Sequence, residues 1–215
     1  MTIKRKSSDM PLFTKNEEER ISAAIAAAER KTSGEIVAVI TPSSGTYLYV
    51  PFLWAGLAAL LVPWPLIHFT WMKVQYIYLI QLAMFLALLV MLWPKSVRTA
   101  LVPKSVRTAH AKRRATEQFL AQNLHTTDGR TGVLIFVSVA ERHAESLADK
   151  GIDDRVSPGT WQEIVDKLTA EISQGRAADA FIHAIKTAGE HLARHYPPGS
   201  ADPNELPDHL IVLDS

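Results

Sequence analysis

The chain has 215 residues, a net charge of +1 and no cysteine. The absence of cysteine excludes disulfide bonds, thiolate catalysis and cysteine-ligated zinc. The balanced charge gives no indication of a nucleic-acid partner or of an acidic one. Apart from two long apolar runs, about 170 residues remain, which is enough for one soluble domain of ordinary size.

The N-terminal part of the chain predicts a helix followed by a buried strand. The first residues are basic, but no apolar core or cleavage site follows them, so a signal peptide is not predicted. Thr14 and Glu17 have the spacing of a capping box, and Gly34 is the expected stop of the helix that follows. The apolar positions at helical spacing are Ile21, Ala24, Ile25 and Ala28. Residues 35–41 (EIVAVIT) predict a strand buried on both faces.

Two uncharged runs, residues 47–69 and 74–93, predict a transmembrane hairpin. Each is long enough to cross a bilayer core as a helix, which takes roughly 20 residues. The break between them, residues 70–73, is too short for more than a tight turn. A pair of buried helices in a soluble core is the alternative, but no polar face interrupts either run. Pro63 and Pro65 predict a kink in the first helix, and several tryptophans and tyrosines lie near the run ends, as in an aromatic belt.

The charges around the hairpin predict its orientation. The turn carries only Lys73, whereas seven basic residues follow the second run: Lys95, Arg98, Lys104, Arg107, Lys112, Arg113 and Arg114. Because cytoplasmic flanks are enriched in lysine and arginine, both termini are expected in the cytoplasm and the turn outside. The chain is therefore predicted to be an integral protein of the cytoplasmic membrane, with the lipid bilayer as a partner. The hairpin contains no deeply placed acidic or basic residue, which favours an anchor over a transporter.

The remainder of the chain alternates between helical and strand patterns. The heptapeptide PKSVRTA occurs at residues 94–100 and again at 103–109, which indicates a local duplication. A helix is predicted from Ser105 to about Leu124, a turn at Asp128–Gly129 and a strand over residues 131–139 (TGVLIFVSV). Residues 140–150 fit a helix in composition, but the segment is too short for its pattern to decide.

The last third predicts two helices and a tail. Ser157 and Pro158 are read as the cap and first position of a helix that ends at Gly175. The apolar face of that helix contains Trp161, Ile164, Val165, Leu168 and Ile172. A final helix is predicted over residues 176–195, and the short apolar end of the tail (NELPDHLIVLDS) is expected to dock on the domain.

Several of these segments together resemble the TPM domain. They are the N-terminal helix, SGEIVAVI, GRTGVLIFVSVAERHAESLADKGI and WQEIVDKLTAEISQGRAADAFIHAI. The whole chain, including NELPDHLIVL near its end, resembles a bacterial membrane-protein branch in which a hydrophobic hairpin interrupts the domain after its first strand. The stretch AESLADKGIDDRV stands where many relatives have a glycine-rich segment, and the predicted cytoplasmic orientation differs from that of many relatives.

The resemblance implies an α/β fold. It is a three-layer TPM-like domain with a small mixed central sheet, interrupted by a two-helix transmembrane hairpin. The domain would comprise residues 1–46 and 94–215, with the hairpin at residues 47–93. The resemblance also implies that AERHAESLAD is a strand paired with TGVLIFVSV, and this replaces the helix alternative. Because family members include phosphatases, calcium binders and assembly factors, it implies either chemistry or partner binding.

Three aspartates are candidate metal ligands. Asp149, Asp153 and Asp154 cluster after the predicted strand hairpin, and calcium or magnesium prefers several oxygen ligands. Lys150 and Arg155 neutralise part of this charge, so a solvated loop with surface ion pairs is the alternative. If the two strands pair, Asp128 and this cluster are expected either at opposite ends of the strand hairpin or to need a third element to meet.

His191 and His195 form a second and weaker candidate. Their four-residue spacing on a helix allows both rings to bind one zinc ion, but no third ligand is identifiable. No nucleophile elbow or nucleotide-binding motif is present in the sequence. Two functions follow: a non-enzymatic interaction or assembly module that binds another membrane or cytoplasmic protein, and, as the alternative, a metal-assisted phosphatase.

Overall fold

A computed structural model describes residues 12–153, 155–157, 159–198, 206 and 208–213, with only the backbone of Asp128 and Asp153. The chain forms two compact units, one of residues 1–44 with 110–215 and one of residues 45–109. In chain order the elements are α1 (Lys15–Glu29), β1 (Glu35–Thr41), α2 (Tyr49–Leu61), α3 (Pro63–Phe69), α4 (Val74–Leu92), α5 (Lys95–Ala100), α6 (Lys104–Ala121), β2 (Gly132–Ser138), β3 (His143–Ala148), α7 (Lys150–Asp153), α8 (Thr160–Ser173), α9 (Ala177–His195) and β4 (Ile211–Val212).

The sheet is small and mixed, as the resemblance implied. Its strand order is β3-β2-β1-β4, with β1 parallel to both β2 and β4 and β2 antiparallel to β3. Residues 143–148 therefore form the predicted strand rather than a helix. The apolar tail docks as predicted, because Ile211 pairs with Val39 of β1.

Alternate residues of the two central strands point into two separate cores. Ile36 and Ile135 belong to the larger core, which α1, α8 and α9 complete. Val39 and Phe136 belong to the smaller core, which Ala115 of α6 covers. All seven residues of β1 and all seven of β2 are buried, which explains why both read as continuous apolar runs. The sheet therefore forms the middle of three layers, with α1, α8 and α9 on one face and α6 on the other.

Two helix boundaries differ from the prediction. The capping box of Thr14 and Glu17 is present, but α1 ends at Glu29 rather than at Gly34. Gly34 serves packing instead, since a Cβ there would lie 3.0 Å from Cδ1 of Leu192. Ser157 was wrongly predicted as a cap: α8 begins at Thr160, and its N-cap is Gly159, whose φ of 92° favours glycine. Pro158 lies outside the described residues.

The second unit contains the two apolar helical segments. Tyr49–Phe69, which joins α2 and α3 across a break at Val62, and Val74–Leu92 are both long and apolar enough to cross a membrane. The break directly precedes Pro63, in agreement with the predicted kink. α2 and α4 pack against each other, and Phe52 contacts Trp93 edge to face at 6.5 Å between ring centroids.

The two copies of the heptapeptide adopt the same local structure. The first copy forms α5, and the second forms the first turns of α6. In each copy the helix starts directly after the proline, which has no backbone N–H and therefore suits a helix start.

Candidate functional site

A buried carboxylate lies where the parallel strands β1 and β2 end. Glu141, only 5% exposed, accepts hydrogen bonds from Ser43 Oγ at 3.1 Å, from the Ser44 backbone N–H at 3.0 Å and from Ser138 Oγ. Ser44 Oγ in turn donates to Ser138 Oγ at 2.7 Å. We call Ser43, Ser44, Ser138 and Glu141 the serine–glutamate cluster.

Backbone geometry brings this cluster together. The residues after the two strands stay paired, because Val139 N–H donates to the Thr41 carbonyl at 3.0 Å. The tight turn into β3 is closed by a hydrogen bond from the Arg142 N–H to the Val139 carbonyl at 3.1 Å, and Ala140 N–H donates to the Pro42 carbonyl at 3.1 Å, so Glu141 is held beside residues 42–44. The polar groups of the cluster satisfy one another, as buried polar groups require.

The serine–glutamate cluster has the chemistry of a structural clamp. Ser138 donates its hydroxyl proton to the Glu141 carboxylate and accepts a hydrogen bond from Ser44 Oγ, so it links the two serines that follow β1 to the turn after β2. The nearby His143 is paired through Nε2 with Glu145 at 3.0 Å. We call the unit of residues 1–44 with 110–215, which contains the sheet, the sheet unit. The cluster therefore fixes residues 43–44, the last residues of the sheet unit before residues 45–109.

An apolar cavity of about 540 Å³ lies beside the serine–glutamate cluster. Its apolar wall includes Phe13, Ile40, Val137 and Ile172. Ser138, Arg142 and His143 line its polar side. The cavity thus lies at the carboxyl ends of parallel strands, where α/β proteins commonly bind ligands.

The predicted metal ligand Asp149 is held in a different way, at the other end of the strands. Its carboxylate is 5% exposed and receives two hydrogen bonds from Arg130, at 3.1 Å and 3.0 Å. It also accepts from the Lys150 backbone N–H at 2.7 Å, which caps the start of α7. In the described structure Asp149 is therefore a paired, helix-capping carboxylate.

The placement predicted for Asp128 was wrong. Because β2 and β3 are antiparallel, the start of β2 lies beside the end of β3, as the pairing of Val133 with Ala148 shows. The loop containing Asp128 and the segment after β3 are thus at the same end of the hairpin, where Arg130 reaches Asp149. The side chain of Asp128 lies outside the described part.

The predicted metal sites stay predictions. Asp154 and the side chain of Asp153 lie outside the described residues. Among the side chains that the structure does describe, no group of three or more histidine, aspartate or glutamate residues could hold a metal ion. His191 is half-buried on α9, and burial, followed by the charge of Arg194, lowers its pKa. His195 is exposed at the last position of α9.

A second carboxyl group was missed from sequence. Glu29 lies at the end of α1, and its Oε1 accepts from the Ile36 backbone N–H at 2.9 Å. Burial raises the pKa of Glu29 to about 9; the Ile36 bond opposes this, whereas a hydrogen bond with Asp208 and the charges of Asp208 and Glu35 add to it. Glu29 reads in sequence as one more polar residue at a helix end, and only the docked tail brings Asp208 to it.

Comparison with known proteins supports the mixed α/β fold and identifies a TPM domain in part of the chain. The NMR structure of the BA42 protein from the psychrophilic bacterium Bizionia argentinensis is similar, with a TM-score of 0.61 and 22% identity over 97% of this chain and 100% of that chain. No curated protein matches the chain in sequence. The family model of the TPM domain matches residues 95–191. The chain therefore contains a TPM domain, on a mixed α/β fold shared with BA42.

Proposed function

We propose that this protein is a membrane-anchored TPM-domain protein that acts as a non-enzymatic interaction or assembly module. In this proposal the hairpin lies in the bacterial inner membrane, both termini are cytoplasmic, and the sheet unit binds another membrane or cytoplasmic protein.

The observation that carries the proposal is the exposed apolar surface of residues 45–109. Trp64 is 66% exposed, Phe69 is 80% exposed and Val90 is 75% exposed. Soluble proteins rarely leave such contiguous apolar surface in water, because it is costly to hydrate. A lipid bilayer would cover both helical segments, whose backbone groups are largely satisfied within each helix.

The basic residues after α4 support the cytoplasmic placement. Lys95 and Lys104 are exposed at the starts of α5 and α6. Each exposed cation near an anionic membrane surface adds about 1 kcal/mol of attraction. The turn between the helices offers only Lys73, so the asymmetry favours an outside turn.

Cysteine labelling tests this orientation, because the natural chain has no cysteine. In intact cells, an impermeant maleimide is expected to label Thr70→Cys and to leave Gln174→Cys unlabelled. Both positions are exposed, so accessibility within the fold is matched. After cell lysis both variants should label. Labelling of Gln174→Cys but not Thr70→Cys in intact cells would reverse the orientation, and equal labelling of both in intact cells would argue against a spanning hairpin.

Photo-crosslinking tests the interaction role. Cysteines at Gln174 and Lys186, exposed on α8 and α9, would carry a photoreactive group in native membranes. We expect one reproducible protein adduct from at least one of these sites, and none from the same group at Thr70. The absence of any specific adduct from a set of exposed positions spread over the sheet unit would count against an interaction module.

A metal-assisted phosphatase is the alternative, and it depends on the resemblance and on the aspartates at 149–154. Metal binding by this segment predicts saturable calcium or magnesium binding in calorimetry of the detergent-purified protein, lost in Asp153→Asn/Asp154→Asn. The exposed Asp166→Asn on α8 is the control and should bind like the natural chain. Zinc binding that requires His191 and His195 would identify the weaker candidate instead. Phosphatase activity that survives Asp153→Asn/Asp154→Asn would contradict a role for these aspartates.

A further inference from the structure

The cavity beside the serine–glutamate cluster has a continuous apolar wall from three parts of the sheet unit. Phe13 comes from the segment before α1, Ile40 and Val137 from the strand ends, and Ile172 from α8. Phe13 is held in place by an edge-to-face contact with the fully buried Phe181, at 5.9 Å between centroids. The wall is therefore preformed, and the volume of about 540 Å³ falls within the usual range for small-molecule sites.

Most polar groups that line this cavity are already engaged. Thr169 Oγ1 donates to the Val165 carbonyl at 2.7 Å, and Ser173 Oγ donates to the Ala170 carbonyl at 2.6 Å. Ser138 donates to Glu141. His143 pairs through Nε2 with Glu145, which also lies 3.6 Å from Lys112 Nζ. The hydrogen bonds that these groups form within the protein leave them little capacity to bind a ligand.

Arg142 is different. It lines the cavity from the turn between β2 and β3, its side chain is exposed, and among the described residues it forms no side-chain hydrogen bond or ion pair. Its φ of 51° is uncommon for a residue with a side chain, and such backbone positions are enriched at functional sites. A guanidinium group at the polar side of an apolar cavity is suited to a carboxylate, which it binds through two parallel hydrogen bonds.

We propose that this cavity binds a small amphipathic carboxylate, with its apolar body against Phe13, Val137 and Ile172 and its carboxylate on Arg142. The site goes beyond the anchoring and partner-binding roles and depends on neither of them. The ligand class is a free aliphatic or aromatic acid, because Arg142 is the one arginine or lysine among the described lining residues and matches a single negative charge.

The experiment uses the full chain reconstituted in phosphatidylcholine vesicles and carboxyl-¹³C octanoate at neutral pH as the probe. Natural protein is expected to bind octanoate saturably, above the partitioning seen with empty vesicles. Arg142→Gln should weaken binding by about tenfold or more, since a charge-assisted contact is lost. Arg142→Lys should retain part of the affinity, and Ala177→Phe, which places a ring at the cavity, should abolish binding.

Three controls make the result decisive. Lys186→Gln removes an exposed cation of α9 that does not line the cavity, and it should bind like the natural chain. Octan-1-ol, which lacks the charge, should bind to natural protein more weakly than octanoate does. Its affinity should be the same for natural protein and for Arg142→Gln. Circular dichroism shows whether each variant is folded. If natural protein and Ala177→Phe bind octanoate equally, if Arg142→Gln changes nothing, or if no saturable binding exceeds that of empty vesicles, the proposal is overturned.

Discussion

Replacing Glu141 with alanine is expected to lower the free energy of unfolding of the sheet unit by about 3 kcal/mol. The substitution removes the acceptor shared by Ser43, Ser44 and Ser138, in a region where Ser138 is fully buried. A hydrogen bond to a charged acceptor contributes about 1.5–3 kcal/mol, and each buried donor left without a partner costs a further desolvation term. Because the groups form one network, the losses are not expected to add simply.

Chemical unfolding followed by circular dichroism in detergent measures this effect. Glu163→Ala, at an exposed position of α8, is the matched control and should change stability by less than about 0.5 kcal/mol. Glu141→Gln keeps an acceptor but loses the charge, so an intermediate loss is expected. Faster amide exchange at Ser44 in Glu141→Ala would locate the effect where the chain leaves the sheet unit. A Glu141→Ala protein as stable as the Glu163→Ala control would show that the serine–glutamate cluster does not stabilise the fold.

The periodicity of the sequence was sufficient to predict most helices and strands. Residues 35–41 and 131–139 read as buried strands because both faces of β1 and β2 are covered, and the structure confirms both to within a residue at each end. The amphipathic face of α8 is confirmed by the burial of Ile164, Val165 and Leu168. The TPM resemblance was required for β3, since residues 140–150 alone did not separate strand from helix.

The candidate sites were harder to predict, because they depend on register between distant segments. Asp149 was selected for its acidic neighbours in sequence, but its main partner is Arg130, which strand pairing brings to it. Glu141 lies 97 residues from Ser44 along the chain, and no local pattern joins them. The strand β4 has only two residues, which is too short to show the alternating pattern of a strand in the sequence, although its pairing brings the tail to β1.

The Glu29 carboxyl group predicts that stability falls as pH rises. Its pKa is about 9 in the folded chain and 4.5 as the ordinary value, so the folded state holds a proton that the unfolded state has lost between these limits. A raised folded-state pKa gives stability that is fully present below 4.5 and is lost as pH rises toward 9. The cause is first the burial of the carboxyl group, then its hydrogen bond with Asp208 and the nearby Asp208 and Glu35 charges.

Glu29→Gln removes the titrating carboxyl group but keeps a side-chain carbonyl oxygen that can accept the hydrogen bond from the Ile36 N–H. We therefore expect the midpoint of thermal unfolding to decline less between pH 5 and pH 9 than in the natural chain, so the variant should be the more stable protein at pH 9. Glu19→Gln, at an exposed position of the same helix, is the charge-matched control and should follow the natural pH profile. If the natural chain and Glu29→Gln show parallel profiles from pH 5 to pH 9, Glu29 is ionised in the folded state and the contact with the docked tail has another basis.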